Sequence, residues 1–435
     1  MKGFGKAGKL VVGIALLTQL AFSPIAGMLN TANAAEVESP NIGLESKSAI
    51  MLEASTGQVL YELNADQPMP PASMAKMMTE YLVMEAVDTG KLKWDEMLTI
   101  SEYSAYLSNN RAFSGIPKAM GDQYSAQDLF YAVTIYSDNG AAVALAERIA
   151  GSEEKFAQLM NETAKKMGLS KDALFINTSG LDRVDLGKYA PESIPGETTF
   201  TARDGALIAY HLLKDHPKIT EYSSIPARKF RPTDANPMIN YDWMLEGNSG
   251  NTNFKKYSYP GVDGLKTGHT DKAGYCFTGT AVRNGTRLIT VVMNASSRDN
   301  SFFDTRKLFD YGFNNFEKRE IVKEGAADDS LKSVPIKKGV NTELAPITGA
   351  ALSLLVKKGT PETAFVKTTE AKTDLVAPIK KGDVVGKMTV SYNNKTYTIP
   401  MVSSTDEEKA SWIRLLFRAI GNFFSDLLSG DKKAA

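Results

Sequence analysis

The stretch Pro71-Ala72-Ser73-Met74-Ala75-Lys76-Met77-Met78-Thr79 constrains this chain more than any other. Pro71 leads into a run in which Met74, Met77 and Met78, then Tyr81, Leu82 and Met84, recur at helical spacing. The spacing predicts a helix with Ser73 and Lys76, three residues apart, on one face. A serine hydroxyl becomes a competent nucleophile when a base takes its proton. A lysine serves as that base when burial or a second cation lowers its pKa. The same residues also read as an N-terminal serine cap followed by a solvated lysine, since Ser-x-x-Lys recurs by chance. The rest of the chain decides between the two.

At 435 residues the chain is long enough for two or three domains, and 43% hydrophobic with 23% charged residues is ordinary for a globular protein. Lys+Arg 50 balances Asp+Glu 50, so no global charge points to nucleic acid as a partner. One cysteine, Cys276, excludes an intramolecular disulfide, and with three histidines a His/Cys metal site is not expected. No cofactor is called for. Lys2, Lys6 and Lys9 precede the apolar run Leu10–Leu17, and Ala32-Asn33-Ala34 has the small-x-small form of a cleavage site. Residues 1–34 therefore read as a secretory signal peptide, with an uncleaved signal anchor as the alternative. An exported chain without disulfides fits a bacterial cell-envelope enzyme.

Along the mature chain, Ser48–Glu53 and Val59–Glu62 read as a β-hairpin. Residues from about 95 to 171 read as mostly helical, with Ser137-Asp138-Asn139 in a short loop between two helices; its plainer reading is a helix N-cap. Residues 177–199 form an irregular loop, and Thr201 with Asp204 caps a further helix. Residues 223–257 carry few periodic signals. Three antiparallel strands follow over 261–270, 273–281 and 286–293, the first bearing Lys266-Thr267-Gly268, and then a helix from about Ser301 to Phe316. From about Ile321 to Met401, short alternating segments separated by Gly- and Asn-rich turns predict a small all-β domain.

Residues 402–410 read as a polar linker, and the last helix is amphipathic. At about 100° per residue, Trp412, Ile413, Leu416, Phe417, Ile420, Phe423, Phe424 and Leu427 share one face, while Arg414, Arg418, Asn422 and Ser425 share the other. It is too short and too polar on one side to span a bilayer. It reads as a helix lying in the membrane interface, with docking on the protein's own core or dimerisation as the alternative.

The order Ser73-x-x-Lys76, Ser137-Asp138-Asn139, Lys266-Thr267-Gly268 resembles the penicilloyl-serine transferase superfamily, which includes penicillin-binding proteins and class A β-lactamases. The stretch Asp263-Gly264-Leu265-Lys266-Thr267-Gly268-His269-Thr270 and the terminal helix narrow the resemblance to a low-molecular-mass penicillin-binding protein, the serine-type D-alanyl-D-alanine carboxypeptidase. The implied fold class is α+β. A β-lactamase/transpeptidase-like catalytic domain at 35–318, an antiparallel sheet plus an all-helical lobe, precedes the all-β domain at 319–401 and the linker and anchoring helix at 402–435.

The resemblance also implies roles. Ser73 would attack the penultimate D-Ala carbonyl of a peptidoglycan stem peptide, with Lys76 as base and Ser137 as proton shuttle. Asn139 would hold Lys76 and the substrate amide. Lys266 and Thr267, followed by Gly268, would receive the terminal carboxylate. The backbone of His269 would complete an oxyanion hole with that of Ser73. Arg298 is a candidate for the carboxylate by analogy, a solvated surface arginine being the alternative. Cys276 reads as a core thiol. The implied partners are the stem peptide, β-lactams as covalent inhibitors, and the outer face of the cytoplasmic membrane.

Three rival functions remain at this stage. A β-lactamase would need a glutamate in a Glu-x-x-Leu-Asn setting, and neither Glu192 nor Glu197 has it. A cross-linking transpeptidase usually carries a large extra N-terminal domain, which is not seen. A non-enzymatic envelope-binding module would leave three intact motifs without a use.

Overall fold

The computed structural model describes residues 39–393 and 395–430. The expected signal peptide lies outside the described residues. Chain order begins with strands β1 (Ser48–Glu53) and β2 (Gln58–Leu63), then a 3-10 turn at Ala72–Ala75 that runs directly into helix α1 (Lys76–Asp88). Helices α2 (Glu102–Asn109), α3 (Ala126–Tyr136), α4 (Asn139–Ala150) and α5 (Glu153–Met167) form the helical lobe, and α6 (Ala202–Asp215) follows. Strands β3 (Val262–Thr270), β4 (Gly274–Arg283) and β5 (Thr286–Ala295) precede helix α7 (Arg298–Asn315).

The five strands form one sheet in the order β2-β1-β5-β4-β3. Its pairing is antiparallel throughout, with Ile50 opposite Val291 and Gly268 opposite Cys276. Side chains alternate across a strand, so each strand feeds two cores. Ile50, Leu52, Ile289, Val291 and Met293 enter one core together with Ala206, Ala209 and Leu212 of α6. Ala49, Met51, Leu288 and Val292 enter the other with Phe302, Leu308 and Phe309 of α7. Burial on both faces explains why β5 reads as an unbroken apolar run. Helix α1 packs between this layer and the helical lobe, in contact with α3, α4, α5 and α6. Its methionines Met77 and Met78 are fully buried.

Caps fix the helix starts that matter. Thr201 and Asp204 form the expected capping box. Asp138 caps α4 by accepting from the Ala141 N–H at 2.9 Å. Ser297 caps α7, so that helix begins at Arg298 rather than near Ser301. The stretch near 95–125 is less helical than its composition suggests: Met97–Thr99 pairs with Gln123–Ser125 as a short ribbon.

After α7 the chain enters β structure at once. Strand β6 (Phe316–Val322) is followed by β7 (Pro346–Thr348), β8 (Leu352–Lys357), β9 (Val366–Ala371), β10 (Val384–Tyr392) and β11 (Lys395–Ser403). β6 pairs with β8, and the remaining four form a sheet in the order β7-β11-β10-β9. Val322, Leu354, Val356, Met388, Val390, Ile399 and Met401 share its core.

The segment read as a detached linker is not detached. Val402 and Ser403 finish β11, and Glu407 exchanges backbone hydrogen bonds with Ile379 at 2.7 and 2.9 Å. The Glu407 carboxylate accepts from the Asn341 backbone N–H at 2.6 Å and from Asn341 Nδ2 at 2.8 Å. Part of the polar composition is thus consumed internally, while Thr405, Asp406, Glu408 and Lys409 stay exposed. Helix α8 (Trp412–Gly430) follows, and Arg418 on its polar face donates to the carbonyls of Gly339 and Val340 at 3.1 and 3.0 Å. The opposite face, including Trp412, Phe417, Phe423 and Phe424, is exposed. No helix among the described residues is long and apolar enough to cross a membrane.

Candidate active site

Three segments converge on one buried cluster. The first is the 3-10 turn. Ala72, immediately before the serine, has φ +49°, and Ser73 stands half-buried at the turn's second position. Ser73 caps no helix; Lys76, one turn on, is the first α-helical residue and is wholly buried. The Lys76 amine makes three contacts: Ser73 Oγ at 2.9 Å, Asn139 Oδ1 at 2.6 Å and the Ser179 carbonyl at 3.0 Å.

The second segment is the junction of α3 and α4. Ser137 ends α3 in the left-handed region (φ +56°, ψ +33°), a conformation held by its own N–H on the Val133 carbonyl at 3.1 Å and the Asp138 N–H on the Ala132 carbonyl at 3.0 Å. Such a residue persists where the surroundings over-determine it. Asn139 is the first residue of α4, and Asp138 between them both caps that helix and pairs with Lys118 inside the protein. The plainer reading of this tripeptide as a cap is therefore correct for Asp138, while its neighbours face Lys76 and Lys266.

The third segment is β3. Lys266 is buried and donates to Ser137 Oγ at 2.9 Å and to the Thr267 carbonyl at 3.1 Å. Gly268 lies against the serine turn: a Cβ there would stand 2.5 Å from the Pro71 carbonyl and 3.2 Å from the Ser73 nitrogen. Only glycine lets the strand backbone come that close. Thr267 is half-buried beside it, and the His269 ring is exposed, packed on Tyr275 with centroids 4.1 Å apart.

Burial lowers the Lys76 amine well below its ordinary pKa, and the charge of Lys266 lowers it further. Burial also brings Lys266 down, to about 8, against the opposing pull of Glu80 and Asp242. His269 is lowered by desolvation and then by Arg298. Cys276 behaves as a core thiol: burial pushes it up to about 12.

Arg298 is drawn into the site. Its guanidinium lies over Trp243 and Tyr241, 4.9 and 5.3 Å from the ring centroids, and its charge acts on both Lys266 and His269. No acceptor among the described residues bonds it, so its edge is open to an anion. Among the described residues no group of three or more His, Cys, Asp or Glu side chains is placed to hold a metal.

Several participants carried no motif. Gly180, at φ +75°, lets the loop of Ser179 close on the Ala72 carbonyl, where a Cβ would approach within 1.9 Å. Lys118, Glu80, Glu153 and Asp242 are buried around the cluster. For Glu80 the available signal was its place one helical turn beyond Lys76.

The profile of the family described as D-alanyl-D-alanine carboxypeptidase matches residues 33–297, and that of the penicillin-binding protein 5 C-terminal domain matches 316–409. The chain belongs to the D-alanyl-D-alanine carboxypeptidase family. This carboxypeptidase is 32% identical to D-alanyl-D-alanine carboxypeptidase DacF of Bacillus subtilis over 415 residues, 95% of this chain and 97% of that protein. A solved structure of a peptidoglycan synthesis regulatory factor (PBP3) from Streptococcus pneumoniae covers 84% of this chain and 100% of its own, with 33% identity and a TM-score of 0.72. Penicillin-binding protein D2 from Listeria monocytogenes in its ampicillin-bound form covers 63% of this chain and 100% of its own, at 35% identity and a TM-score of 0.51. The carboxypeptidase is accordingly a serine-type hydrolase of peptidoglycan that releases terminal D-alanine.

Proposed function

We propose that Ser73 is the nucleophile of this carboxypeptidase and Lys76 its base. The observation that carries this reading is the set of partners on Lys76 Nζ. A neutral amine has two N–H groups and one lone pair. Asn139 Oδ1 and the Ser179 carbonyl can only accept, so they take both N–H groups, and the lone pair is left for the third neighbour, the Ser73 hydroxyl.

In this reading Ser73 Oγ attacks the carbonyl carbon of the penultimate D-Ala while its proton passes to Lys76. The oxyanion is met by the backbone N–H groups of Ser73 and His269; in support, Gly268, the residue before His269, lies against the Ser73 nitrogen. Ser137, hydrogen-bonded to Lys266, relays to the leaving amine the proton that Lys76 took from Ser73, so that Ser137 and Lys76 both end as they began; the C–N bond breaks, and D-Ala departs. Water then attacks the Ser73 ester, yielding the shortened peptide's carboxylate and the free hydroxyl. Lys266, Thr267 and Arg298 receive the terminal carboxylate, Arg298 being pre-oriented by its two aromatic neighbours. A β-lactam would acylate the same hydroxyl and remain as a slowly hydrolysed ester.

We also infer that residues 1–34 direct export, and that the exposed apolar face of α8 rests in the outer leaflet of the cytoplasmic membrane. Its support is seven large apolar side chains, from Trp412 to Phe424, each at least 44% exposed.

The decisive assay is D-Ala release from a diacyl-L-Lys-D-Ala-D-Ala peptide. Release by the unaltered protein, abolished by Ser73→Ala and blocked by penicillin, is the expected result. Release that persists in Ser73→Ala would overturn the assignment of the nucleophile.

A further inference from the structure

The cluster contains a carboxyl for which the acyl-transfer chemistry has no evident use. Glu80 lies four residues beyond Lys76 on α1, so the two side chains share a face. It is 2% exposed, and its Oε1 meets no hydrogen-bond partner. The charges that act on it are those of Lys266 on β3 and Lys76 on its own helix. Burying a carboxyl without hydrogen bonds is unfavourable, so packing or capping does not account for it. Asp242 differs in this respect: its Oδ1 accepts from the Met244 N–H at 2.9 Å and so closes a turn, although its Oδ2 is likewise without a partner.

We propose that Glu80 is a positioning residue for acyl transfer, a buried counter-charge that keeps Lys266 cationic while Lys76 gives up its proton. The proposal rests on the roles assigned above to Ser73, Lys76 and Lys266. Burial alone would strip the proton from both lysines, whereas the reaction needs only Lys76 neutral. Glu80 favours a cation at either position, and the proton stays on Lys266 because burial and the neighbouring Lys266 charge hold Lys76 well below its ordinary value; Asp242 also acts on Lys266, but burial holds its own carboxyl up to about 8. The other charges in play are already engaged or lie further out. Asp138, felt by Lys76, is paired with Lys118; Glu153 is held by the Thr178 N–H and hydroxyl at 3.0 and 2.6 Å; Arg298 opposes the charge of Lys266.

The two titrations are in register. Burial raises Glu80 to about 7, so its carboxylate predominates above that pH, and Lys266 keeps its proton up to about 8. Removing the carboxylate lowers the proton affinity of both lysines. The alkaline limb, set by Lys266 and lying where Glu80 is charged, then moves to lower pH.

The test is the pH profile of D-Ala release and of penicillin acylation by the full-length enzyme, compared with Glu80→Gln and Glu80→Asp. In Glu80→Gln the alkaline midpoint is expected to fall by about one pH unit, the size of a near opposite charge. Glu80→Asp, with the charge on a shorter arm, should fall in the same direction by less. Reduced rates with an unmoved alkaline midpoint would assign Glu80 a merely structural role and overturn the proposal. Should the Gln variant not fold, the Asp variant decides by the same criterion. Covalent penicillin labelling that survives Ser73→Ala would instead defeat the underlying site assignment.

Discussion

Lys118 and Asp138 form an ion pair in which neither side chain has any exposed surface, and Asp138 is the residue directly after Ser137. The Asp138 carboxylate also takes the Ile116 and Ala141 N–H groups, each at 2.9 Å, so one side chain ties the 110–118 loop to the start of α4. Lys118 in turn lies over the Phe230 ring, 5.1 Å from its centroid. This pair fixes the floor on which the Ser137 hydroxyl stands.

Replacing Lys118 by Met would leave the carboxylate buried without its cation. Breaking such a pair costs roughly 3–5 kcal/mol, and the two backbone donors place this case near the lower end. Denaturant melts of Lys118→Met should show that loss, together with slower penicillin acylation. A loss below about 1 kcal/mol would mean that the pair contributes little to the fold.

Lys266 predicts an alkaline limit. It is cationic below about 8 and neutral above, so the KM for a carboxylate-ended peptide should rise as pH passes that value. Lys266→Arg keeps its charge at every working pH and should remove the alkaline rise, at some loss of rate from its different geometry. Steady-state kinetics between pH 6 and about 10 would show whether the rise is present and whether the Arg variant lacks it.

Gly268→Ala sets a new methyl group 2.5 Å from the Pro71 carbonyl. Either the strand or the serine turn must shift, and a displacement near 1 Å at a reacting group costs on the order of 100-fold in rate. Acylation by penicillin should drop by about that factor, together with a lower melting temperature, since the atoms met are backbone and cannot give cheaply. Normal acylation by the variant would show that the turn yields without consequence.

The apolar face of α8 predicts vesicle binding. Phe417→Asp should abolish co-sedimentation with anionic liposomes while leaving peptide hydrolysis in solution intact. Phe417 is 70% exposed, so the substitution disturbs no packing. Undiminished sedimentation would remove the membrane role from this face.

Much of the architecture could be read from local patterning. The alternation in Ser48–Glu53, the capping box at Thr201 and the β-branched run before Ala295 each declare their element because neighbouring residues carry the whole signal. Ser73 and Lys76 were readable from their spacing, and Ser137, Asn139 and Lys266 through the family resemblance that the three motifs carry; the structure brings all five together. What was not legible depends on burial. Pro117-Lys118-Ala119 looks like any surface loop, and nothing local marks that lysine for the interior. Tyr241 and Trp243 lie in a stretch with few periodic signals, and nothing local ties them to Arg298, which lies across both rings. Residues 402–410 misled for the converse reason, since a polar segment whose groups are in part bonded internally has the same composition as a solvated one.

The attachment of that segment has a mechanical consequence. Because Glu407 is stitched to Ile379 and Asn341, and Arg418 holds the Gly339 and Val340 carbonyls, α8 is a bracket and not a leash. A leash would let the serine sweep a hemisphere of radius set by linker length. A bracket presents it at one height and one tilt above whatever surface the apolar face settles on. Were that face to rest on a membrane, as proposed, the peptides standing at that height would be the ones processed, and lengthening the chain before Trp412 would widen the accessible layer without touching a catalytic atom.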